Sequence, residues 1–400
     1  MPEPPRTGDA VLELVRKSEL ADDDVLKSFL LRSGPVPSSA ADTATRLVQS
    51  GILTRFQAQF ILQGKHKGFR LGPYRILDQI GSGGMGHVYL AEHIHLHRRV
   101  AIKVLPPKLA ADKSWVNRFY REARAAAALD HPNVVHAYDV AFDNGAHFLV
   151  LEYVPGKTLQ DALSESGGRL PISRACGYIA QVAAGLQHAH EKGVSHRDIK
   201  PANLLVSDDG TVKILDMGLA RFFQSPIAGH DPEHGIVMGT TDYIAPEQAT
   251  ACSQADHRVD IYSLGATFYH LVTGQPPFEG STAAKLIAHQ LHDVPTAHEV
   301  RADVPERISG IIARMMAKAP ADRYQTALEV VEELLPYCEH VPVVSTTASG
   351  RLVPYRFAQT EPSAPVPARK PNEQWALGLV AATVVLSMLF VILFLLVVNP

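Results

Sequence analysis

Four hundred residues exceed one small domain and suffice for a two-lobed catalytic unit with appendages. Lysine and arginine number 38 against 41 aspartates and glutamates, a net charge of −3, so no positive field draws nucleic acid and none is expected as a partner. The three cysteines, Cys176, Cys252 and Cys338, lie far apart without CxxC spacing, which argues against a disulfide framework or zinc knuckle and for a reducing, cytoplasmic setting.

The N-terminus "MPEPPRTGDAVLELV" lacks a basic region followed by an apolar one, so a cleaved signal peptide is not expected. Residues 1–70 read as a small helical module of unknown role, because apolar residues between 9 and 64 recur at mixed three and four spacings, split by "RSGPVPSS". Residues 74–154 read mostly as strands, "YRILDQI", "HVYLAEH", "RRVAIKVL", "HAYDVAF" and "HFLVLEYV", interrupted by one alanine-rich helix from about Ser114 to Leu129. Residues 158–336 read mostly as helices. A small sheet lobe joined by one crossing segment to a larger helical lobe leaves a cleft where a ligand can sit. Residues 339–374, with six prolines and no apolar period, read as an extended linker without a fold of its own. From Ala376 to Val398 the chain runs 23 residues without a charge, bordered by Trp375. As a helix this is about 34 Å long, against a hydrocarbon core of about 30 Å, so a single transmembrane helix is predicted. Arg369 and Lys370 on its N-terminal side place the large N-terminal part in the cytoplasm.

The stretch "GSGGMGHV" at 81–88 is a GxGxxGxV pattern in which Gly81, Gly83 and Gly86 let backbone approach phosphates, with Ser82, Gly84 and Met85 between them. A dinucleotide fold needs a helix directly after such glycines, whereas "HVYLAEH" alternates as a strand. Lys103, in the apolar "VAIK", is costly to desolvate unless paired, so a phosphate and a carboxylate should lie within reach. Glu122 is the one acid of the helix "SWVNRFYREARAAAAL", beside an apolar stripe of Phe119, Ala123 and Ala126 that turns it toward the sheet lobe. In "HRDIKPAN", Asp198 can accept a hydroxyl proton, Lys200 can bond a γ-phosphate and Asn203 can give a neutral oxygen to magnesium. "ILDMG" presents Asp216 as the anionic metal ligand at a strand end.

With these motifs in this order, residues 74 to about 336 resemble a bacterial eukaryotic-like serine/threonine protein kinase. The resemblance implies an α+β, two-lobed protein-kinase fold, a small β-rich N-lobe with one helix and a larger helical C-lobe, here flanked by the N-terminal module and the C-terminal transmembrane helix. It implies ATP and Mg2+ as cofactors and protein substrates with Ser or Thr hydroxyls, because Lys200 and Thr240 are typical of that specificity. Val88, Ala101 and Leu205 would enclose the adenine, with the backbone of Glu152 to Val154 as hinge and Leu151 as gatekeeper. "GTTDYIAPE", 239–247, would be the substrate-binding end of an activation segment, with Glu247 paired to Arg323 and Asp260 bracing the catalytic loop. A homodimer is compatible with this reading.

Two departures stand out. Met217 replaces the family's usual phenylalanine, and its flexible apolar side chain can keep the packing role. Ahead of Gly239 the activation segment has one hydroxyl residue, Ser225, with Asp231 and Glu233 where phosphothreonines often occur, so a carboxylate is expected to stand in partly for phosphate at Arg197. Ser345, Thr346, Thr347 and Ser349 are candidate autophosphorylation targets. His93, His95 and His97 in "HIHLH" read as an exposed turn rather than a metal site. The alternatives are a pseudokinase scaffold, which intact Lys103, Asp198, Asn203 and Asp216 argue against, and a small-molecule phosphotransferase, which needs no protein-substrate platform.

Overall fold

Four helices open the chain, three of them started by a hydroxyl cap. Thr7 accepts the Ala10 N–H ahead of α1 (Gly8–Lys17), Ser39 that of Asp42 ahead of α3 (Ala40–Gln49), and Thr54 that of Gln57 ahead of α4 (Arg55–Leu62). The fourth, α2 (Asp23–Ser33), follows Asp22 without such a bond. Their apolar faces meet in a core that includes Val11, Val15, Leu26, Phe29, Leu47 and Ile61. The break expected at "RSGPVPSS" falls between α2 and α3, and each half is divided once more. A computed structural model gives this architecture, describing residues 3–83, 86–217, 241–250, 255–338, and the backbone at 345–346 and 352–353.

A six-stranded antiparallel sheet follows, from β1 (Arg70–Leu71), β2 (Tyr74–Gly83), β3 (Gly86–His93), β4 (Arg98–Val104), β5 (Ala137–Asp143) and β6 (Ala146–Glu152), in the order β1-β2-β3-β4-β6-β5. Five strands lie where alternation put them; β1, two residues long, is too short to have a period. Between β4 and β5 come the single turn α5 (Pro107–Ala110) and α6 (Lys113–Ala127), capped by the Asp112 carboxylate on Ser114. The helix α6 buries Phe119, Ala123 and Ala126 against Leu105, Ala137 and Leu149, on the stripe read from the sequence. The "HIHLH" segment is the turn between β3 and β4: His93 Nδ1 accepts the Leu96 N–H at 3.2 Å, and no cluster of metal-ligating residues occurs among the described residues.

Beyond the sheet the chain is mostly helical: α7 (Leu159–Glu165), α8 (Ile172–Glu191), α9 (Pro246–Thr250), α10 (Arg258–Thr273), α11 (Thr282–Leu291), α12 (Ala297–Val300), α13 (Glu306–Met315) and α14 (Ala327–Leu334). Both α8 and α10 are apolar on most sides, which suits helices at the centre of the lobe. At Gly265 an added Cβ would lie 2.7 Å from Met315 Cβ, so the absence of a side chain sets how closely α10 and α13 pack. A three-stranded sheet, β7 (Gly156–Thr158), β8 (Leu204–Ser207) and β9 (Val212–Ile214), interrupts the stretch read as helical. Its first strand has three residues and no pattern to betray it.

Residues 339–374 differ from the expectation in one respect. The short strands β10 (Ser345–Thr346) and β11 (Leu352–Val353) pair antiparallel, Ser345 with Val353 and Thr346 with Leu352, inside a segment expected to have no fold. The rest of that segment, with Thr347 and Ser349, and the predicted span at 376–398 lie outside the described residues, as does Cys252. No helix of the described residues is long and apolar enough to cross a membrane.

Two buried histidines make the helical lobe sensitive to acid. Burial, with the nearby Lys318 charge, pushes His289 down to about 4, while its Nδ1 meets the Tyr262 hydroxyl at 2.9 Å. Burial, with His188 stacked at 5.4 Å, pushes His131 down to about 3. Unfolding returns both to about 6.5, so below that pH the unfolded chain takes up protons the folded chain refuses. Stability is therefore expected to be full above pH ~6.5 and to fall toward pH ~4 by about 1.4 kcal/mol per pH unit for each histidine. Urea denaturation at pH 7, 6 and 5 checks this; a flat profile contradicts it.

Candidate active site

The loop before β8 is held from below by one carboxylate. Asp260, fully buried near the start of α10, accepts the backbone N–H of His196 at 2.8 Å and of Arg197 at 2.6 Å, and the His190 ring at 2.8 Å. Burial alone would push its carboxyl upward, but the His190 hydrogen bond and the neighbouring donors hold it below the usual range. These bonds support Arg197 at φ 68°, a left-handed conformation that costs a non-glycine residue about 1–2 kcal/mol. The Arg197 guanidinium also donates to the Ala255 carbonyl at 3.0 Å. The segment carrying Ser225, Asp231, Glu233, Gly239 and Thr240 lies outside the described residues.

His196 links this loop to the segment just past β9 that carries Asp216. Its Nδ1 accepts the Asp198 N–H at 3.1 Å, so the ring proton sits on Nε2, which donates to the Leu215 carbonyl at 2.7 Å. Nothing in the sequence beyond its place in "HRD" signalled that role. The turn Pro201–Asn203 then brings Asn203 back, its amide donating to the Asp198 carbonyl at 2.8 Å and to Asp198 Oδ2 at 3.0 Å. Lys200 Nζ meets the same Oδ2 at 2.8 Å. Asp198 is thus fixed from three sides.

Above it, Lys103 sits in β4 between Val88 and Leu149 on the flanking strands, buried as expected. A carboxylate lies within its reach, that of Asp216 rather than Glu122. Lys103 Nζ pairs with Asp216 Oδ2 at 2.7 Å, whereas Glu122, also buried, pairs with Arg121 at 3.2 Å. Asp216 has φ 56°, and this left-handed turn brings its carboxylate to the ammonium that both acids could serve. Met217 is buried in the core of the helical lobe, so the packing role is kept.

These groups line one cavity of about 830 Å³ between the lobes. Of the residues picked from the sequence, Gly81, Ser82, Gly86, Val88, Ala101, Lys103, Leu151, Glu152, Val154, Asp198, Lys200, Asn203, Leu205 and Asp216 line it. Gly83 pairs with Gly86 at the hairpin end, Gly84 and Met85 lie outside the described residues, and Glu122 is not on the wall. Tyr153, within the expected hinge, lines it too, and Ile80, Val135, Gly156, Lys157, Thr158, Asp161, Ala202 and Leu215 also line it and were not singled out. Gly86 has φ +112° and a Cβ there would fall 2.4 Å from the Val104 carbonyl, so only glycine fits. The hinge is latched at Glu152, whose carboxylate accepts from Lys213 at 2.9 Å and from the His136 N–H at 3.2 Å.

The donor set suits a hard divalent cation. The amide nitrogen of Asn203 is occupied within the loop, leaving its oxygen as a neutral donor, and Asp216 adds a carboxylate on the same wall. Magnesium binds through one or two such oxygens plus water and phosphate. Further down, Glu247 and Arg323 form a two-pronged pair at 2.6 and 2.9 Å, and the guanidinium also donates to the carbonyls of Ala317, Arg258 and Lys318.

A sheet lobe and a helical lobe closing on an ammonium, two carboxylates and an amide define a kinase-type architecture. The protein kinase domain profile matches residues 74–335, and the chain belongs to that family. It is 38% identical over 264 residues to serine/threonine-protein kinase PrkC of Bacillus subtilis, covering 66% of this chain and 40% of PrkC. It is 39% identical over 267 residues to serine/threonine-protein kinase PknB of Mycolicibacterium smegmatis, covering 66% of this chain and 42% of PknB. The chain thus spans about two-fifths of the length of these relatives. The crystal structure of the Mycobacterium tuberculosis PknI kinase domain superposes with a TM-score of 0.55 at 28% identity, over 68% of this chain and 98% of that domain.

Proposed function

We propose that the chain transfers the γ-phosphoryl group of ATP to Ser or Thr hydroxyls of proteins. The observation that carries this is the single cavity lined by Lys103, Asp198, Lys200, Asn203 and Asp216. Asp198, held by Asn203 and Lys200, accepts the hydroxyl proton as the oxygen attacks phosphorus in line, and Lys200 and Lys103 neutralise charge on the phosphates. Asn203 and Asp216 would hold Mg2+, which when bound adds further charge neutralisation. Val88, Ala101 and Leu205 enclose the adenine, and the Glu152–Val154 backbone, at the end of β6 and past it, faces its edge. The Glu247–Arg323 pair supports a protein acceptor, since it stiffens the platform that follows the activation segment.

The relatives PrkC and PknB, serine/threonine-protein kinases by name, support the acceptor class. Incubation with ATP, Mg2+ and a mixed protein acceptor should give phosphoserine and phosphothreonine on acid hydrolysis. Nucleotide binding without transfer would favour the scaffold reading, to which the Lys103–Asp216 pair, with Glu122 elsewhere, lends some weight. We infer further that residues 376–398 tether the enzyme as a single-pass helix with the kinase domain in the cytoplasm, from the uncharged run and Arg369 and Lys370 before it. Extraction of the full chain from membranes by detergent but not by carbonate tests this. Self-association as a homodimer belongs to the same proposal, and light scattering on the full chain tests it.

A further inference from the structure

The edge of the sheet next to the cavity is closed by a helix. Strand β1 pairs with β2 only at Tyr74 and Arg75, so from Ile76 onward β2 has β3 on one side and no strand on the other. An edge strand leaves backbone groups without ladder partners. Here β2 also bulges: Ile76 faces Ala91 and Asp78 faces Leu90, leaving Leu77 without an opposite residue. The start of α4 lies against this bulge. Thr54 Oγ1 donates to the Leu77 carbonyl at 2.6 Å, and Gln57 Nε2 donates to the Ile76 carbonyl at 2.6 Å.

The same two side chains close the cap of α4. Thr54 Oγ1 accepts the Gln57 N–H at 3.1 Å and Gln57 Oε1 accepts the Thr54 N–H at 2.9 Å, so one capping box joins helix start and strand edge. Gln57 is 2% exposed, and a buried amide with both ends bonded fixes its neighbours in place. Phe56 adds an apolar contact to Tyr89 of β3, ring centres 6.3 Å apart. Three residues on from Leu77 along β2, Ile80, Gly81 and Ser82 form part of the cavity wall.

We propose that α4 of the N-terminal module is a positioning element for the nucleotide, acting through Thr54 and Gln57 on the β2 bulge. It takes the place of a missing edge strand and sets where the glycine-rich hairpin lies over the cavity. The proposal rests on reading the cavity as a nucleotide site.

The test uses the full chain, a non-hydrolysable ATP analogue with Mg2+, and the variants Thr54→Val and Gln57→Leu. Each removes one hydrogen bond to β2 and is expected to weaken analogue binding about fivefold, with KM for ATP raised alike and kcat changed less. Amide exchange at 78–82 is expected to quicken while α1 to α3 stay protected. Gln57→Glu keeps an acceptor for the Thr54 N–H but no donor for Ile76, and should weaken binding at least as much; Thr54→Ser keeps the hydroxyl and restores it. Unchanged binding and unchanged exchange at 78–82 in both first variants overturn the proposal, as does exchange rising equally across α1 to α3. Failure of the wild-type chain to bind the analogue overturns the parent reading instead.

Discussion

Asp198→Asn is expected to lower phosphoryl transfer by about 10²–10⁴-fold, the usual worth of a positioned general base. The amide is nearly the same size and can still accept a hydrogen bond from Lys200 or Asn203, which hold Asp198 Oδ2 at 2.8 and 3.0 Å. What it cannot do is take the hydroxyl proton. Affinity for a non-hydrolysable ATP analogue should stay within about twofold, because the lost interaction develops mainly in the transition state. Single-turnover kinetics with a peptide acceptor separate the two quantities. Transfer within threefold of wild type would move the base elsewhere.

Glu247→Ala is expected to destabilise the helical lobe by about 3 kcal/mol, the lower end of the range for removing one member of a buried ion pair, because Arg323 is buried while the Glu247 side chain stays 20% exposed. Arg323 is 1% exposed, lies 4.9 Å from the Tyr262 ring, and would keep its carbonyl partners but lose both charged contacts. A guanidinium left without its carboxylate is the costly state, and Arg323→Met, which leaves Glu247 unpaired and takes the donor from the Ala317, Arg258 and Lys318 carbonyls, should cost a similar amount. Urea denaturation followed by circular dichroism measures both. A loss below about 1 kcal/mol for Glu247→Ala would mean that the pair is wet and worth no more than a surface one.

Much of the site was legible because its residues lie in short, ordered stretches. "HRDIKPAN", "VAIK" and "ILDMG" each placed an ionisable group in a strand, at a strand end or in a loop, and the cavity gathers those groups. What the sequence could not give was pairing. Lys103 had two acids to choose from, and the choice of Asp216 over Glu122 depends on a single left-handed φ that no motif spells out. In the same way Thr54 and Gln57 carry the [ST]xx[EQ] pattern of a helix start, but the strand they also bond lies about 20 residues away in sequence. Strands β1 and β7, of two and three residues, are held by their neighbours rather than by a pattern of their own, and so left no trace. His196 was in view yet mute, since its role lies in which ring nitrogen holds the proton.

The most direct test is a crystal structure of the full chain with Mg2+ and a non-hydrolysable ATP analogue. The terminal phosphate is expected between Lys103 and Lys200, metal density on Asn203 and Asp216, and the adenine between Val88, Ala101 and Leu205. Nucleotide bound outside this cavity, or within it with the phosphates turned away from Asp198, would contradict this placement.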